Sequence, residues 1–385
     1  MLKGRYPLDR FSGLRTPFYY YDTGLLAETL EAVGAAIADR PSWKVHYAVK
    51  ANHNPRLLAQ VARAGFGADC VSGGEIQAAL AAGFHAPDIV YAGVGKADWE
   101  IDLALEAGIG RFNVESAAEL RVIAERAATK GLTVPVSLRV NPDIGAHTLS
   151  GITTGLAENK FGIYHRDVEA VIREALALPS VHFEGLHFHI GSQILDLSDF
   201  AALCNRINDL VSRLERLRIP VGDINVGGGL GIEYEHPNHL PVADFKAYFA
   251  VFKRLLQGRR PLHFELGRSI VAPCGTLITR VLYVKEGVSR EFAIVDAGMN
   301  DLVRPALYHA FHRIENLSSD GPERTYDVVG PVCESSDVFG KGVVLTECHR
   351  GDFIAIRSAG AYGESMASQY NCRPLPASVF DVDRD

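Results

Sequence analysis

Short apolar runs typical of β-strands alternate with amphipathic segments along the first two thirds of the chain. In amphipathic segments such as NPRLLAQVARAGF and RDVEAVIREALAL, apolar residues recur every three or four positions, the spacing of a helix with one buried face. This alternation predicts repeated strand–helix units. The predicted strands cover residues 44–52, 68–74, 89–95, 111–116, 135–142, 183–192, 223–232 and 262–270.

Eight strands with helical segments between them favour a (β/α)8 TIM barrel, an α/β fold. An open, doubly wound sheet remains the alternative, because a count of strands does not establish that a sheet closes on itself. We expect the barrel domain to span residues 22–268.

After residue 272 the pattern changes, and the chain is predicted to form a separate all-β domain, a sandwich or a barrel. Runs such as GTLITRVLYVKEG, EFAIVDAGMND and TYDVVGPV are typical of strands linked by turns, with one helical insert near RPALYHAFHRI. The opening segment TPFYYYD is a candidate strand of the same domain. Residues 1–21 and 269–385 are therefore assigned to it.

Length, net charge and cysteine content exclude several classes of function for this chain. The chain has 385 residues, 47% hydrophobic and 22% charged, which suits a globular protein with a large core. Its formal net charge of −7 argues against a nucleic-acid or membrane-surface partner. The six cysteines are scattered without a CxxC pair, which fits a reducing compartment and gives no metal signature. The N-terminus lacks a segment of signal-peptide type, so we expect a cytoplasmic location.

Polar residues follow the carboxyl ends of several predicted strands, the end at which TIM-barrel active sites form. Lys50 ends the apolar run HYAVKAN. Most lysines are solvated, but a buried lysine amine has a lowered pKa and can attack a carbonyl group. Pyridoxal 5'-phosphate needs such a lysine for its Schiff base, and we expect Lys50 to be buried for this purpose. This cofactor also needs a phosphate cradle, a flat neighbour for its ring and a partner for its pyridine nitrogen.

Later strands offer candidates for all three needs. The glycines of GGGLG, residues 227–231, let backbone N–H groups approach a phosphate, with a tight turn as the alternative. In HFHIGSQ, His189 is a candidate for stacking on the ring and Ser192 for a hydrogen bond to phosphate; a structural histidine is the alternative. In ELGR, Glu265 is a candidate partner of the pyridine nitrogen, unless it forms a local ion pair with Arg268.

Nine motifs, in order along residues 15–375, resemble the diaminopimelate decarboxylases, a family of the fold-type III, alanine-racemase-like group of pyridoxal-phosphate enzymes. The motifs are YAVKAN, VSGGE, NKFGI, HFHIGSQI, GGGLGI, ELGRSIVA, DAGMNDLVRPALY, GPVCESSDVFG and AGAYGESMASQYNCRP. As a set they are specific and cover almost the whole chain.

The resemblance implies roles for individual residues toward the cofactor. Lys50 is expected to bind pyridoxal phosphate covalently, His189 to stack on its ring and Glu265 to pair with its ring nitrogen. The residues implied for the phosphate region are Ser192, Gly229, Gly267, Arg268 and Tyr362. Of these, Arg268 and Tyr362 are also implied to contact the substrate.

The resemblance implies substrate contacts as well. Arg304 and Tyr308 match positions that hold the distal polar groups of the substrate. Cys333 matches the proton donor and Glu334 a further substrate contact, and both are implied to reach the pocket of a partner subunit in a homodimer. Without the resemblance, Arg304 could be a surface ion-pairing residue and Cys333 a small buried hydrophobe. Tyr308, like Tyr362 of AGAYG, could be a packed aromatic.

Two positions depart from the pattern of the family. Leu266 stands in ELGR where the family usually has a proline, so we expect a looser loop there. Gly151, in HTLSGITTGLAENKFGI, replaces an aromatic or histidine residue, and we expect a more mobile loop around it.

The activity implied is decarboxylation of meso-2,6-diaminopimelate to L-lysine and carbon dioxide, the last step of lysine biosynthesis. The alternatives within enzymes are decarboxylation of another basic amino acid or of carboxynorspermidine; a racemase would usually place arginine, not Glu265, at the ring nitrogen. An alternative of another class is a non-catalytic cofactor carrier or regulatory homologue. Retention of Lys50, Cys333, Glu334 and Arg304 argues against the carrier, because cofactor storage needs neither a proton donor nor a distal clamp.

Overall fold

The computed structural model describes residues 6–142 and 160–383. The chain divides into two compact units, which are described separately. The β unit contains the described residues of Met1–Glu28, Ile232–Ala243 and Arg268–Asp385, and the barrel unit those of Thr29–Gly231 and Asp244–Gly267. The expectation about Gly151 lies outside the described residues.

Strands and helices are numbered in chain order. The strands are β1 (Phe18–Tyr21), β2 (Trp43–Ala48), β3 (Gly67–Cys70), β4 (Ile89–Tyr91), β5 (Arg111–Val114), β6 (Val134–Asn141), β7 (Ile163–Tyr164), β8 (Val181–His187), β9 (Asp223–Asn225), β10 (Leu262–Leu266), β11 (Gly275–Glu286), β12 (Glu291–Val295), β13 (Ile314–Asn316), β14 (Glu323–Val329), β15 (Val338–Thr346), β16 (Phe353–Ile356) and β17 (Ala377–Phe380). The helices are α1 (Leu8–Ser12), α2 (Thr23–Ile37), α3 (Pro55–Arg63), α4 (Gly73–Ala81), α5 (Asp98–Ala107), α6 (Ala117–Thr129), α7 (Val168–Ala177), α8 (Leu197–Arg216), α9 (Phe245–Leu255), α10 (Arg268–Val271) and α11 (Arg304–Tyr308).

The barrel unit is a closed sheet of parallel strands in the order β5, β4, β3, β2, β10, β9, β8 and β6. Closure comes from the pairing of β5 with β6, in which Phe112 lies opposite Val136. The (β/α)8 prediction is confirmed, and the open doubly wound alternative is wrong because no pair of barrel strands among the described residues is left unjoined. The short β7 adds to β6 outside this ring.

Helix caps follow directly after barrel strands and fix the rim. The side chain of Ser72 accepts a hydrogen bond from the N–H of Glu75 at the start of α4. Ser116 does the same for Glu119 at the start of α6. Each serine therefore satisfies a backbone donor that a helix start would otherwise leave unpaired, so the chain turns from strand into helix within two residues.

The predicted strands are present, but most end earlier than the apolar pattern suggested. After β2 the chain enters a 3₁₀ turn, Val49–Ala51, and after β9 it enters the glycine segment. Leu266 is the last residue of β10, is buried and lies in register with Tyr47 of β2. The expectation of a looser loop at Leu266 is therefore wrong, because this position belongs to the sheet.

The β unit is built on one mixed sheet of eight strands. Six of them follow the order β13, β16, β11, β12, β14, β15, while β1 pairs with β11 and β17. β1 is antiparallel to β11 and parallel to β17. The separate β domain and its N-terminal strand are thus confirmed, and sequence analysis missed β13 and β17.

The core of the β unit is aromatic. Phe11 of α1 forms T-shaped contacts with Phe18 and Tyr20 of β1, at ring-centroid distances of 5.1 and 5.2 Å, and with Phe353 of β16 at 5.9 Å. Burying large aromatic side chains in this way is a main source of stability. Phe18 and Tyr20, which point to the same face of β1, therefore anchor the N-terminal segment to this core.

Within residues 6–142 and 160–383, none of the helices combines the length and the apolar character needed to cross a bilayer.

Candidate active site

Lys50 lies just past the carboxyl end of β2, in the 3₁₀ turn. Its Nζ is 3.4 Å from Oδ2 of Asp69, which the register of the sheet places opposite Ala48. The Lys50 side chain is 40% exposed, whereas that of Asp69 is fully buried. The expectation of a buried amine is therefore wrong. The strand ends at Ala48, and the turn carries Lys50 out to the rim.

Asp69 is a buried carboxyl group with an incomplete set of partners. Burial, and then the nearby charge of Glu265, raises the pKa of Asp69 to about 6, against the opposing effect of Lys50. Its Oδ1 has no hydrogen-bond partner among the described residues. Asp69 is thus close to the boundary between its neutral and charged forms at neutral pH, beside the amine of Lys50.

Glu265, on β10, is a buried carboxylate that three side chains contact. Its Oε1 accepts hydrogen bonds from Asn113 Nδ2 at 2.9 Å and Asn225 Nδ2 at 2.7 Å, and its Oε2 lies 3.0 Å from His187 Nε2. Burial alone would raise the pKa of Glu265, but His187 and Lys50 outweigh it and hold that pKa far below its usual range. The group is therefore ionised at neutral pH although its side chain is only 5% exposed.

His189 follows β8 and is held by the glycine segment. Its Nδ1 accepts a hydrogen bond from the N–H of Gly228 at 3.3 Å, which leaves the ring proton on Nε2. Burial, followed by the charges of Arg139 and Lys50, lowers the pKa of His189 well below its usual value. The ring is therefore neutral and fixed in orientation. Ser192 lies three residues further on and is half-buried.

The glycine segment is required by close packing of the backbone. Gly227 and Gly229 have φ values of 74° and 104°, which favour glycine. A Cβ on Gly228 would lie 1.9 Å from the carbonyl oxygen of Glu265, and one on Gly229 would lie 2.6 Å from that of Gly191. Side chains are therefore excluded here, and backbone groups line this part of the rim. The tight-turn alternative and a phosphate cradle are both compatible with this geometry.

Gly267 is also tightly placed. A Cβ on this residue would lie 3.0 Å from the Cβ atoms of Ala48 and Ala51, the residues that flank the turn of Lys50. Such a contact is tighter than normal van der Waals packing, so a side chain at Gly267 would displace the turn that carries the lysine.

In the β unit, two guanidinium groups converge on one phenol oxygen. Arg268 Nη1 donates to Tyr234 Oη at 2.8 Å, and Arg304 Nη1 donates to the same oxygen at 3.0 Å. Arg268 and Arg304 are only 5% and 4% exposed. The alternative of Arg304 as a surface ion-pairing residue is therefore wrong. Burial raises the pKa of Tyr234, but the two arginines outweigh it, and the net direction is downward.

His312 contacts the same arginine. Its Nε2 lies 2.8 Å from Arg304 Nη1, and its Nδ1 lies 2.8 Å from the carbonyl oxygen of Arg357. The edge of the His312 ring also faces the Tyr234 ring, at a centroid distance of 5.1 Å. Burial, with the charge of Arg304, lowers the pKa of His312 to about 3, so this imidazole is neutral.

The two tyrosines of the predicted site are half-buried. Tyr308 ends α11, one turn after Arg304. The Tyr362 ring lies 4.9 Å from the guanidinium carbon of Arg268, within cation–π range. Tyr362 has a φ of 56°, a left-handed conformation that costs a non-glycine residue about 1–2 kcal/mol. Strain of this kind concentrates at functional sites, which supports a role for Tyr362 beyond packing.

Cys333 and Glu334 lie between β14 and β15, and both are exposed. The alternative of Cys333 as a buried hydrophobe is therefore wrong. A Glu334 carboxylate oxygen accepts a hydrogen bond from the Tyr370 hydroxyl, and Ser336 Oγ lies 3.3 Å from the other. These contacts hold the carboxylate at the surface of the unit.

Each unit thus gathers its own part of the predicted set. The barrel unit brings Lys50 and Glu265 into one electrostatic network, and the β unit joins Arg268 to Arg304 through Tyr234. Sequence analysis missed the residues that complete these networks, which are Asp69, Asn113, His187, Asn225, Tyr234 and His312. A polar residue inside an apolar strand run, such as Asn113 in RFNV, was the feature of the sequence that could have identified the residues of this network in the barrel unit.

A closed (β/α)8 barrel with a lysine on its carboxyl-end rim, in one electrostatic network with a buried, ionised glutamate, is the arrangement expected of a TIM-barrel enzyme that binds an aldehyde cofactor through a lysine. Residues 26–272 match the family described as pyridoxal-dependent decarboxylase, pyridoxal binding domain. The chain belongs to this family of pyridoxal-dependent decarboxylases.

Relatives and solved structures agree with this assignment. The chain is 61% identical to a diaminopimelate decarboxylase of Bacteroides thetaiotaomicron, over 97% of this chain and 98% of the relative. It is 45% identical to that of Neisseria meningitidis serogroup B, over 95% of this chain and 87% of the relative. The structure of diaminopimelate decarboxylase from Helicobacter pylori complexed with L-lysine is similar, with 42% identity, a TM-score of 0.93 and coverage of 98% and 95% of the two chains.

Proposed function

We propose that this protein decarboxylates meso-2,6-diaminopimelate to L-lysine and carbon dioxide with pyridoxal 5'-phosphate as cofactor, the last step of lysine biosynthesis. The choice of substrate rests on the environment of Arg304. Its guanidinium is buried, and no carboxylate of the described residues pairs with it. A buried cation without a carboxylate partner suits a substrate that brings a second carboxylate, which diaminopimelate has and ornithine lacks.

The barrel unit fits a polar cofactor at its mouth. Around the ionised Glu265, three buried atoms have no hydrogen-bond partner among the described residues: Asp69 Oδ1, Asn113 Oδ1 and His187 Nδ1. Buried polar atoms normally find partners, so a polar group is expected close to them. The glycine segment, where a Cβ would collide with backbone, supports a phosphate held by backbone N–H groups.

Within this proposal, each residue has a defined role toward the cofactor. Lys50 binds it covalently, His189 lies against its ring and Glu265 pairs with its ring nitrogen. The phosphate is assigned to Ser192, Gly229, Gly267, Arg268 and Tyr362. The bound cofactor supplies an electron sink for the carbanion that loss of carbon dioxide leaves behind. Because Glu265 stays ionised, it favours a protonated ring nitrogen and so strengthens that sink.

The remaining residues act on the substrate. Arg304 binds the distal carboxylate by its planar, bidentate geometry, and the Glu334 carboxylate binds the distal ammonium. Tyr308 contributes to the same end, and Arg268 and Tyr362 also contact the substrate. Cys333 delivers a proton from Sγ to the substrate carbon that has lost its carboxylate.

The proposal includes a cytoplasmic homodimer. Exposure of Cys333 and Glu334 supports it, because exposed residues are available to the active site of a partner subunit. We retain the predicted division of labour, with residues 22–268 for the cofactor and residues 1–21 and 269–385 for substrate and subunit contacts.

The test is an assay of purified protein supplied with pyridoxal phosphate and meso-diaminopimelate, in which carbon dioxide and L-lysine are measured together. We expect equal amounts of both products, and none from Lys50→Ala, which also loses the absorbance band of the lysine-bound cofactor. Ornithine, L-lysine and carboxynorspermidine are offered as competing substrates. Faster turnover of any of these would overturn the choice of substrate, and cofactor binding without carbon dioxide release would indicate a non-catalytic carrier.

A further inference from the structure

The environment of Tyr234 Oη is unusual for a phenol. It accepts hydrogen bonds from two buried guanidinium groups, Arg268 at 2.8 Å and Arg304 at 3.0 Å. Two cations at hydrogen-bond distance favour the ionised form of this oxygen over the neutral phenol. Tyr234 is itself only 8% exposed. An ionised oxygen gives both cations a counter-charge.

His312 is held in one tautomer. A carbonyl oxygen only accepts hydrogen bonds, so the contact with the Arg357 carbonyl puts the ring proton on Nδ1. Nε2 is then an acceptor, and it receives a hydrogen bond from Arg304 Nη1 at 2.8 Å. The imidazole is therefore a fixed acceptor for the guanidinium rather than a competing cation.

Together these contacts determine which edge of Arg304 remains available. Nη1 carries two N–H bonds, and Tyr234 and His312 accept both of them. Nε and Nη2 of Arg304 donate to no described residue, and neither belongs to the fully buried atoms without a partner. Side by side, Nε–H and Nη2–H form the planar pair that binds a carboxylate in bidentate fashion.

We propose that Tyr234, as a phenolate, and His312 are positioning residues that fix Arg304 with its Nε–Nη2 edge presented to the distal carboxylate of the substrate. This inference rests on the proposed function and deepens it. It assigns the specificity for a second carboxylate to Tyr234 and His312, which contact Arg304 at Nη1. A diamine without that carboxylate gains nothing from the arrangement, whereas the product L-lysine retains it.

The first test compares kinetics of the holoenzyme with Tyr234→Phe. We expect the KM for meso-diaminopimelate to rise at least about tenfold with a smaller change in kcat, because the lost interaction orients substrate rather than stabilising the reacting carbon. The inhibition constant of the product L-lysine, which keeps the distal carboxylate, should rise together with the KM, whereas that of cadaverine, which has no carboxylate, should change less than about twofold. Tyr248→Phe is the matched control, since Tyr248 is buried and its hydroxyl has no partner among the described residues.

His312 provides a rescue test. His312→Gln keeps an acceptor for Arg304 and a donor for the Arg357 carbonyl, so its KM should stay near that of the wild type. His312→Leu removes both and should raise the KM as Tyr234→Phe does. Equal effects on KM and on the cadaverine inhibition constant, or equal kinetics of the Gln and Leu variants, would overturn the positioning role. If His312→Leu fails to fold, Tyr234→Phe and His312→Gln carry the same decision.

A spectroscopic readout separates this inference from the proposed function. At neutral pH, the ultraviolet difference spectrum between the wild type and Tyr234→Phe should contain the absorbance of a single tyrosinate. The difference for Tyr248→Phe should be that of a neutral phenol. A neutral-phenol spectrum for Tyr234 would contradict the phenolate even if the enzyme decarboxylates diaminopimelate. A wild type without that activity would instead refute the proposed function, and the spectrum would still decide the state of Tyr234.

Discussion

Replacement of Asp69 by asparagine should make the barrel unit more stable at neutral pH. Burial and the charge of Glu265 raise the pKa of Asp69 from 3.8 to about 6. At ~1.4 kcal/mol per pH unit, this rise means that ionised Asp69 costs the folded state up to about 3 kcal/mol. Asparagine has nearly the same shape and carries no charge, so Asp69→Asn should recover most of that energy.

Because the pKa of Asp69 is raised in the folded state, the stabilisation by Asp69→Asn depends on pH. Between pH 4 and 6 the folded protein binds a proton at Asp69 that the unfolded chain has lost, so stability falls as the pH rises through this window. Below pH 4 the carboxyl group is neutral in both states. The gain from Asp69→Asn should therefore be small at pH 4, grow up to pH 6 and stay constant above it.

The assay is urea unfolding of cofactor-free protein from pH 4.5 to 8, followed by tryptophan fluorescence. Both tryptophans, Trp43 and Trp99, belong to the barrel unit, so the signal reports on that unit. Asp223→Asn is the matched control. Burial alone would raise the pKa of Asp223, but His263 and Arg111 lower it, so its replacement should destabilise at neutral pH.

Destabilisation of the protein by Asp69→Asn at pH 7.5, or an equal effect at pH 4.5 and 7.5, would contradict a cost of ionised Asp69 to the folded state. Either result would mean that the charge of Asp69 is compensated by Lys50 more fully than the distance of 3.4 Å indicates. We also expect Asp69→Asn to lower the turnover of the holoenzyme, because the carboxylate beside Lys50 is then lost.

Three further predictions follow from the geometry. Gly228→Ala should lower the free energy of unfolding in urea by about 3 kcal/mol, because its Cβ would lie 1.9 Å from a backbone carbonyl oxygen. Gly34→Ala is the control: a Cβ on Gly34 would have nothing within 4 Å, so this variant should not be destabilised. Equal stabilities of the two variants would contradict this prediction. Cys333→Ala should lower kcat for diaminopimelate while the absorbance of bound cofactor is unchanged, and loss of the cofactor would contradict a proton-donor role. Arg304→Lys should raise KM at least about tenfold, because lysine offers no bidentate edge; an unchanged KM would exclude Arg304 from carboxylate binding.

The sequence predicted the barrel strands because each is a short apolar run. It drew attention to Lys50 because this residue ends one such run, and to Glu265 because this residue lies near the end of another. Closure was not predictable in this way. It depends on hydrogen bonds between β5 and β6, which strand counting does not reveal. The burial of Lys50 was misjudged for a similar reason, since the strand gives way to a 3₁₀ turn one residue before the lysine.

The networks behind the site residues were beyond sequence reasoning for a different reason. Tyr234 and His312 contact Arg304 from positions 70 and 8 residues away along the chain. No periodicity links such positions, and a lone tyrosine or histidine in a sequence is most often a packed residue. Asp69 was hidden for the same reason, because it meets Lys50 only through the register of two neighbouring strands.

Borohydride reduction of the holoenzyme identifies the lysine that carries the cofactor, which we assign to Lys50. Reduction of the holoenzyme converts the carbon–nitrogen double bond between lysine and pyridoxal phosphate into a stable secondary amine, and peptide mass spectrometry then locates the added mass. We predict the modification on the peptide that contains Lys50, and its disappearance in Lys50→Ala. Modification of a different lysine, or a wild type that retains no cofactor after reduction, would contradict the account.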